Sequence, residues 1–152
     1  MKFRCQQQKL SKALNIVSRA VTSRTTIPVL KGILLEVNDG KLTMSASDLD
    51  IAIKNTIDVE VVEEGSVVIT AKLFGDIIRK LPSSEIEIKS DENNNIVIDC
   101  LTSEFKVVGM STDEFPIFNT KIDVTNSITF DKKSLKTMIE KTAFAASLDE
   151  AR

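Results

Sequence analysis

Residues 2–17 read KFRCQQQKLSKALNIV, and this stretch decides the fold because its hydrophobic period changes partway along it. Phe3 and Cys5 alternate with polar neighbours, as on a half-buried β-strand. Leu10 and Leu14 lie four residues apart, as on one face of an amphipathic helix. The stretch therefore predicts a strand that leads directly into a helix.

The same strand–helix opening recurs twice further along the chain. Its apolar positions reappear 64 residues later, and four of the five reappear 125 residues later. Some matches of this kind arise by coincidence in any α/β chain, but five positions in register favour a true internal repeat. The three sets are Phe3, Cys5, Leu10, Leu14 and Val17; Val67, Ile69, Phe74, Ile78 and Leu81; and Ile128, Phe130, Leu135, Ile139 and Thr142.

Three helices and a series of strands are predicted from the periodicity. Pro82 ends the second helix, and Asp131 has the side chain expected of an N-cap for the third. Asp39-Gly40 predicts a tight hairpin. The helices are expected over residues 9–21, 72–81 and 132–146, and the strands over residues 29–37, 41–46, 50–59, 67–70, 85–90, 95–100 and 105–110, with a further strand from Ser127.

These elements predict an α+β fold in which a βαβββ unit is used twice. The two units would form one domain over residues 1–120. Residues 121–152 would be a linker followed by the opening strand and helix of a second domain. Because a lone strand and helix cannot bury their own apolar face, we expect the chain to be a fragment of a longer protein.

Positive charge is concentrated on the predicted helices. Residues 9–24, 72–81 and 132–146 contain 11 basic and 2 acidic residues, whereas the rest of the chain contains 9 basic and 20 acidic residues. Lysines on helices can serve solubility alone, since lysine is a good helix former. The depletion of acids from the same helices instead favours a surface that faces a polyanion, although the net charge of the chain is −2.

The residue types that are absent narrow the function. The chain contains no His, Trp or Tyr, so it lacks the commonest general base and most of the side chains that stack on bases. A basic surface without stacking aromatics favours the backbone of double-stranded DNA over single strands. No glycine-rich phosphate loop or activated nucleophile is recognisable, so neither a catalytic site nor a cofactor is expected.

Two cysteines and one acidic pair have ordinary structural explanations. Cys5 and Cys100 lie at strand spacing and are expected to be buried thiols rather than a disulfide. Asp48 and Asp50 could hold a metal ion, but a turn is favoured because no further ligands accompany them. The chain has neither an apolar secretory signal nor a membrane-spanning run, so a cytoplasmic protein is expected.

Four short segments follow one another along the chain in a specific order. They are Thr26-Ile27-Pro28-Val29-Leu30, Leu42-Thr43-Met44-Ser45-Ala46-Ser47-Asp48-Leu49-Asp50, Asp113-Glu114-Phe115-Pro116 and Phe144-Ala145-Ala146-Ser147. Together they resemble the bacterial β sliding clamp family, the processivity subunit of DNA polymerase III. Each segment is weak alone, but the ordered set covers the whole chain and is specific.

The resemblance implies a fold, a function and partners. In the clamp family each domain is a pseudo-twofold pair of βαβββ units, with helices on the inner face and antiparallel sheets outside. Two subunits close head to tail around double-stranded DNA and tether the replicative polymerase. The resemblance therefore implies a non-catalytic replication factor that forms a homodimer. It would bind the DNA polymerase III alpha subunit and the clamp loader through domains mostly absent here.

The resemblance also implies particular site residues. Arg24 and Lys72 would contact DNA phosphates. The weaker candidates on the same face are Lys9, Lys12, Arg19, Arg79 and Lys80. The subunit interface would involve the second helix and an edge strand, through Ile77, Ile78, Phe105 and Val107.

One departure from the family pattern concerns that edge strand. Some family members place a basic row there, whereas this chain has Thr102 and Glu104. Apolar contacts are therefore expected to dominate the interface. Two other functions remain open: a non-catalytic protein-interaction module that dimerises through its sheet edges, and a small hydrolase or nuclease, for which the sequence offers no ligand set.

Overall fold

The opening of the chain folds as its periodicity predicts, with a strand that runs directly into a helix, and the second copy repeats this arrangement. The computed structural model describes residues 1–22, 24–116 and 127–147. The chain divides into two compact units, Met1–Phe118 and Asn119–Arg152.

The first unit contains two α-helices and nine strands among its described residues. The helices are α1 (Gln7–Val17) and α2 (Ala71–Lys80). The strands are β1 (Lys2–Gln6), β2 (Gly32–Asn38), β3 (Lys41–Ser47), β4 (Ala52–Asp58), β5 (Glu60–Glu63), β6 (Gly65–Thr70), β7 (Glu85–Ser90), β8 (Asn95–Cys100) and β9 (Ser103–Val108). Apart from the short β5, this is β-α-β-β-β used twice, so the predicted α+β fold is confirmed.

Each of the two antiparallel sheets is built from strands of both repeats. One sheet has the order β5-β1-β7-β8-β9 and the other β4-β3-β2-β6. The opening strand of each repeat therefore pairs with the other repeat: β1 with β7, and β6 with β2. Phe3 lies opposite Ile88 in the first pair, and Val67 lies opposite Leu35 in the second. Because of this exchange, neither repeat can complete a sheet on its own.

A single apolar core joins the two helices and the two sheets. Leu10 and Phe74 occupy equivalent positions in the repeat, and both are fully buried. They belong to one continuous cluster that also contains Ile33 of β2 and Ile98 of β8. The two helices also pack against each other. The apolar stripe of each helix is therefore buried in the core, and its polar face is exposed to solvent.

Two local predictions are wrong, and the sequence does not predict one of the strands. Pro28–Lys31 forms a short 3₁₀ helix, so the strand predicted from residue 29 begins only at Gly32. Glu60–Glu63 forms β5 and pairs with β1, although its acidic sequence shows no strand pattern. Residues 127–130 are not a strand, although one was predicted from Ser127. Whether a segment forms a strand depends on hydrogen bonds to a neighbouring strand, and the local sequence does not show whether such a neighbour is present.

The predicted turns are confirmed. Asp39 and Gly40 have φ values of 49° and 74°, as a two-residue hairpin turn of the primed type requires. The carboxylate of Asp48 accepts backbone hydrogen bonds from Asp50 at 3.1 Å and Ile51 at 2.8 Å. This side chain therefore stabilises a turn, as the favoured explanation of the acidic pair predicted.

The second unit contains one α-helix in its described part, α3 (Lys132–Thr142). Asp131 accepts hydrogen bonds from the Ser134 amide at 2.8 Å and from the Ser134 hydroxyl at 3.0 Å, so the predicted N-cap is confirmed. The helix ends at Thr142, short of the predicted residue 146, and a 3₁₀ turn follows. Its apolar residues, including Leu135 and Ile139, are exposed.

Candidate nucleic-acid interface

The polar faces of α1 and α2 place most of the predicted DNA-contacting residues at the surface. Successive polar positions on each helix point away from the core because the apolar stripe faces inward. The seven predicted residues are all exposed: Lys9, Lys12, Arg19, Arg24, Lys72, Arg79 and Lys80. They lie on α1, on the segment that follows it, and on α2.

Two of these seven cations are already paired within the protein. The Lys9 ammonium donates to the backbone carbonyl of Asp58 at 2.6 Å and lies 3.8 Å from its carboxylate. Arg79 forms an ion pair with Asp76, one turn earlier on α2. Both pairs are exposed, so they weaken the local positive potential only in part.

The other five cations have no acidic partner within the described residues. They are Lys12, Arg19, Arg24, Lys72 and Lys80. These unpaired charges give the surface a positive potential, and this potential attracts polyanions. We call the exposed face formed by α1, residues 18–22, Arg24 and α2 the helical face.

Basic residues on the sheet β5-β1-β7-β8-β9 form ion pairs with acids, unlike most of those on the helices. Arg4 on β1 donates to the Glu87 carboxylate at 2.7 Å, and Lys2 lies 2.9 Å from the same carboxylate. Lys89 on β7 pairs with Asp99 of β8 at 3.3 Å. These acids lie on neighbouring strands, directly across from the cations or nearly so. Positive charge is therefore largely neutralised on the sheet β5-β1-β7-β8-β9 and largely unneutralised on the helical face. On the other sheet, Lys41 of β3 and Lys54 of β4 form no ion pair within the described residues.

A cavity of about 440 Å³ opens between α1 and α2. Sequence reasoning missed one of its basic residues, Lys31, which is exposed on the 3₁₀ turn before β2. Lys31 stands outside the helical stretches in which basic residues were counted, so its proximity to α2 had no signal in the sequence. The cavity brings it together with Lys72 and Arg79. The lining residues are Asn15, Ser18, Val21, Thr22, Lys31, Thr70, Ala71, Lys72, Gly75 and Arg79.

The predicted subunit-interface residues fall into two groups. Ile78 is fully buried and Ile77 is only 7% exposed, so neither offers a partner any useful area. The interface role expected for Ile77 and Ile78 is therefore corrected, because both side chains face the core. Phe105 on β9 is 37% exposed, while Val107 is partly buried against the core. β9 is an edge strand, so these two residues remain candidates for contact with a partner.

Among residues 1–22, 24–116 and 127–147 there is no group of three or more His, Cys, Asp or Glu side chains arranged to hold a metal ion. No helix in these ranges is long and apolar enough to cross a membrane.

The first unit is a duplicated α+β domain with two packed helices and two sheets, each of which contains a strand from the other repeat. Together with the basic helical face, this architecture defines a DNA-clamp type of domain. Known structures agree with this class. A DNA polymerase sliding clamp from Bacillus subtilis superposes with a TM-score of 0.91 at 34% identity, covering 100% of this chain and 42% of that one. A DNA polymerase III beta subunit from Streptococcus pyogenes gives a TM-score of 0.90 at 32% identity, covering 100% and 41%.

The chain belongs to the family of the DNA polymerase III beta subunit, whose N-terminal domain matches residues 1–119. The beta sliding clamp of Halalkalibacterium halodurans is 38% identical over 147 residues, which cover 91% of this chain and 38% of that protein. The Bacillus subtilis clamp is 35% identical over 160 aligned positions. The chain spans only about 42% of the length of such relatives. The clamp fold and the family expected from the resemblance are confirmed.

Proposed function

We propose that this chain is part of a bacterial replication sliding clamp and that its helical face lies toward double-stranded DNA. Residues 1–120 would be one clamp domain and residues 121–152 the start of the next. The protein would have no catalytic site of its own and would act in the cytoplasm. The observation that carries the proposal is the set of seven exposed cations on the helical face, five of which have no acidic partner within the described residues.

This charge distribution suits sliding rather than tight, sequence-specific binding. Contacts between lysine or arginine and phosphates carry no sequence information, so no position along the duplex is preferred. All seven cations are exposed, so their contacts to phosphates would be screened by water and salt. Outside the helical stretches, 20 acidic residues outnumber 9 basic ones, and this excess limits binding of DNA elsewhere on the chain. Processivity would then come from topological linkage and from the high effective concentration of a tethered polymerase.

Arg24 and Lys72 are the proposed principal phosphate contacts. Both are exposed and neither has an acidic partner within the described part of the chain. Lys12, Arg19 and Lys80 share these properties and are proposed as additional contacts. Lys9 and Arg79 are proposed as weaker ones, since each would have to share its charge with an aspartate.

The partners proposed for the complete clamp are a second copy of the subunit, the polymerase III alpha subunit and the clamp loader. The head-to-tail homodimer would use the edge of β9, where Phe105 and Val107 remain partly uncovered. Val108 on the same strand is 74% exposed, and Leu101 in the preceding turn is 75% exposed. An edge with apolar side chains and open backbone groups is suited to pairing with another strand. A polymerase-derived clamp-binding peptide is expected to bind the present chain poorly.

Salt-dependent DNA binding tests this proposal. Binding of the chain to a short duplex would be measured by fluorescence anisotropy between 50 and 200 mM salt, for the wild type and for Arg24→Ala and Lys72→Ala. Each helical variant is expected to lower the slope of log K against log salt by about 0.9, the value for one lost phosphate contact. Lys54→Ala is the matched control, since Lys54 is also exposed but lies on β4.

The possible outcomes separate the functions. Equal slopes in the wild type and both helical variants would refute the assignment of Arg24 and Lys72. Absence of any salt-sensitive binding would favour the protein-interaction module, in which the β9 edge is the only functional surface proposed. Encirclement itself needs a closed ring, so residues 1–119 would replace the corresponding domain of the Bacillus subtilis clamp. The chimera should remain on circular duplex DNA and be lost when the circle is cut.

A further inference from the structure

We propose that the cavity between α1 and α2 seats a phosphodiester group of one DNA strand, with Lys31 as a previously unassigned contact and Gly75 as the position that admits the strand. This inference rests on the proposed function and specifies how the helical face would hold DNA. Three observations support it. Cations from separate parts of the chain line the cavity, no acidic residue lines it, and Gly75 lies on the side of α2 that borders it.

Three cations reach the cavity from separate parts of the chain. Lys31 comes from the 3₁₀ turn before β2, Lys72 from the first turn of α2, and Arg79 from two turns later on the same helix. No acidic residue lines the cavity. Asp76 lies nearby but is engaged with Arg79, which holds the guanidinium close to α2. The lining therefore carries three positive charges and no negative one, which favours an anionic occupant.

Polar groups complete the lining. Asn15 and Ser18 contribute from the end of α1, and Thr70 contributes from the start of α2. Thr70 occupies the N-cap position, yet its side chain makes no capping hydrogen bond. The first amide groups of α2 therefore have no side-chain cap, and the helix dipole adds to the positive potential at this end of the cavity. A phosphate oxygen could accept hydrogen bonds from these donors.

Gly75 has no internal reason to be glycine. It lies in the middle of α2, where glycine is less favourable than alanine because it orders a more flexible backbone. A Cβ built on Gly75 would meet nothing closer than the Arg79 side chain at 4.0 Å, so packing within the protein does not exclude a side chain. Its backbone φ is not in the left-handed region. A close approach by a ligand from outside would account for the absence of a side chain at this position.

The cavity combines three cationic side chains with a lining surface that is largely apolar. Small groups such as Ala71 and Gly75 line it beside Lys31, Lys72 and Arg79. A sugar–phosphate strand matches this division, since the deoxyribose can lie over the small residues while a phosphate meets the cations. DNA is therefore a better fit than a free hydrophobic molecule.

The test compares Lys31→Ala and Gly75→Gln with the wild type in duplex titrations. Glutamine is a good helix former and is uncharged, so Gly75→Gln should keep or raise the thermal stability while filling the approach to the cavity. Lys31→Ala should lower the salt slope by about 0.9, which corresponds to roughly threefold less change in affinity between 50 and 200 mM salt. Gly75→Gln should weaken duplex binding, and the amide NMR signals of Gly75 and Lys72 should shift when wild-type protein binds DNA. Lys54→Ala again serves as the control for a charge lost outside the helices.

Each outcome bears on a distinct statement. If duplex binding shows the expected salt slope but neither Lys31→Ala nor Gly75→Gln changes it, this inference is overturned while the proposed function stands. If inorganic phosphate shifts the Gly75 signal and duplex DNA does not, the cavity is a small-anion site and the inference is likewise overturned. If no duplex binding is seen for the wild type, the proposed function fails and the inference fails with it.

Discussion

Substitution of Leu10 by alanine in α1 should destabilise the whole first unit, not only the repeat in which it lies. Leu10 is fully buried in the cluster that joins both helices and both sheets. Leu→Ala at such a site costs about 3 kcal/mol through lost burial and the cavity left behind. With an m-value of about 2 kcal/mol per molar urea, the unfolding midpoint should fall by about 1.5 M.

The reason for a single transition is the exchange of strands between the repeats. β1 belongs to the first repeat by sequence but completes the sheet of β7, β8 and β9. β6 belongs to the second repeat but completes the sheet of β2, β3 and β4. A half-folded state would leave each sheet without a strand and would expose the shared core. Phe74→Ala at the equivalent position of α2 should therefore have an effect of the same kind, at about 4 kcal/mol.

Urea unfolding followed by methyl NMR provides the assay. The chain has no Trp or Tyr to report by fluorescence, so the methyl groups of Ile33 in β2 and Ile98 in β8 would serve as one probe for each sheet. In Leu10→Ala both probes should lose their native signals at the same lowered urea concentration. Ile16→Ala is the matched control, because Ile16 is on the same helix but 47% exposed. Two separate midpoints, with Ile98 unfolding as in the wild type, would refute the argument from strand exchange.

Two further predictions concern titratable groups. Burial raises the pKa of the Cys5 thiol to about 12, so Cys5 should react with iodoacetamide at pH 8 only after urea unfolding; rapid labelling of the native protein at Cys5 would contradict its burial. Hydrogen bonds from Lys2 and Arg4 hold the pKa of Glu87 below its ordinary value of 4.5. The carboxylate therefore stabilises the fold above pH 4.5, and this contribution is lost as the pH falls through the lowered pKa. The difference in urea midpoint between wild type and Glu87→Gln should be larger at pH 7 than at pH 3; a difference independent of pH would show that the ion pairs contribute nothing.

Much of the fold could be predicted from the sequence because periodicity is a local property. The alternation at Phe3 and Cys5 and the helical spacing at Leu10 report which side chains face inward, whatever they pack against. The hairpin at Asp39-Gly40 and the N-cap at Asp131 were equally accessible, since each depends on a few neighbouring backbone angles and hydrogen bonds. The excess of positive charge on the helices was likewise visible by counting.

The candidate site was predictable only in its general location. Sequence showed that α1 and α2 are basic, but not which cations are free. Lys9 is held by Asp58, which lies 49 residues away along the chain. Lys31 reaches the cavity beside Lys72 from a turn outside either helix. The resemblance implies an interface role for Ile78, whereas its side chain lies in the core.

The sequence alone therefore determined the repeated strand–helix unit, the inward stripe of each helix and the segregation of basic residues onto the helices. These follow from residue types a few positions apart, where the geometry of helix and strand is fixed. Only the tertiary structure decided that the repeats exchange β1 and β6, that acids on neighbouring strands neutralise Lys2 and Arg4, and that Lys31 and Gly75 share a cavity. Such features depend on which distant segments meet, and a long-range contact leaves no period in the chain.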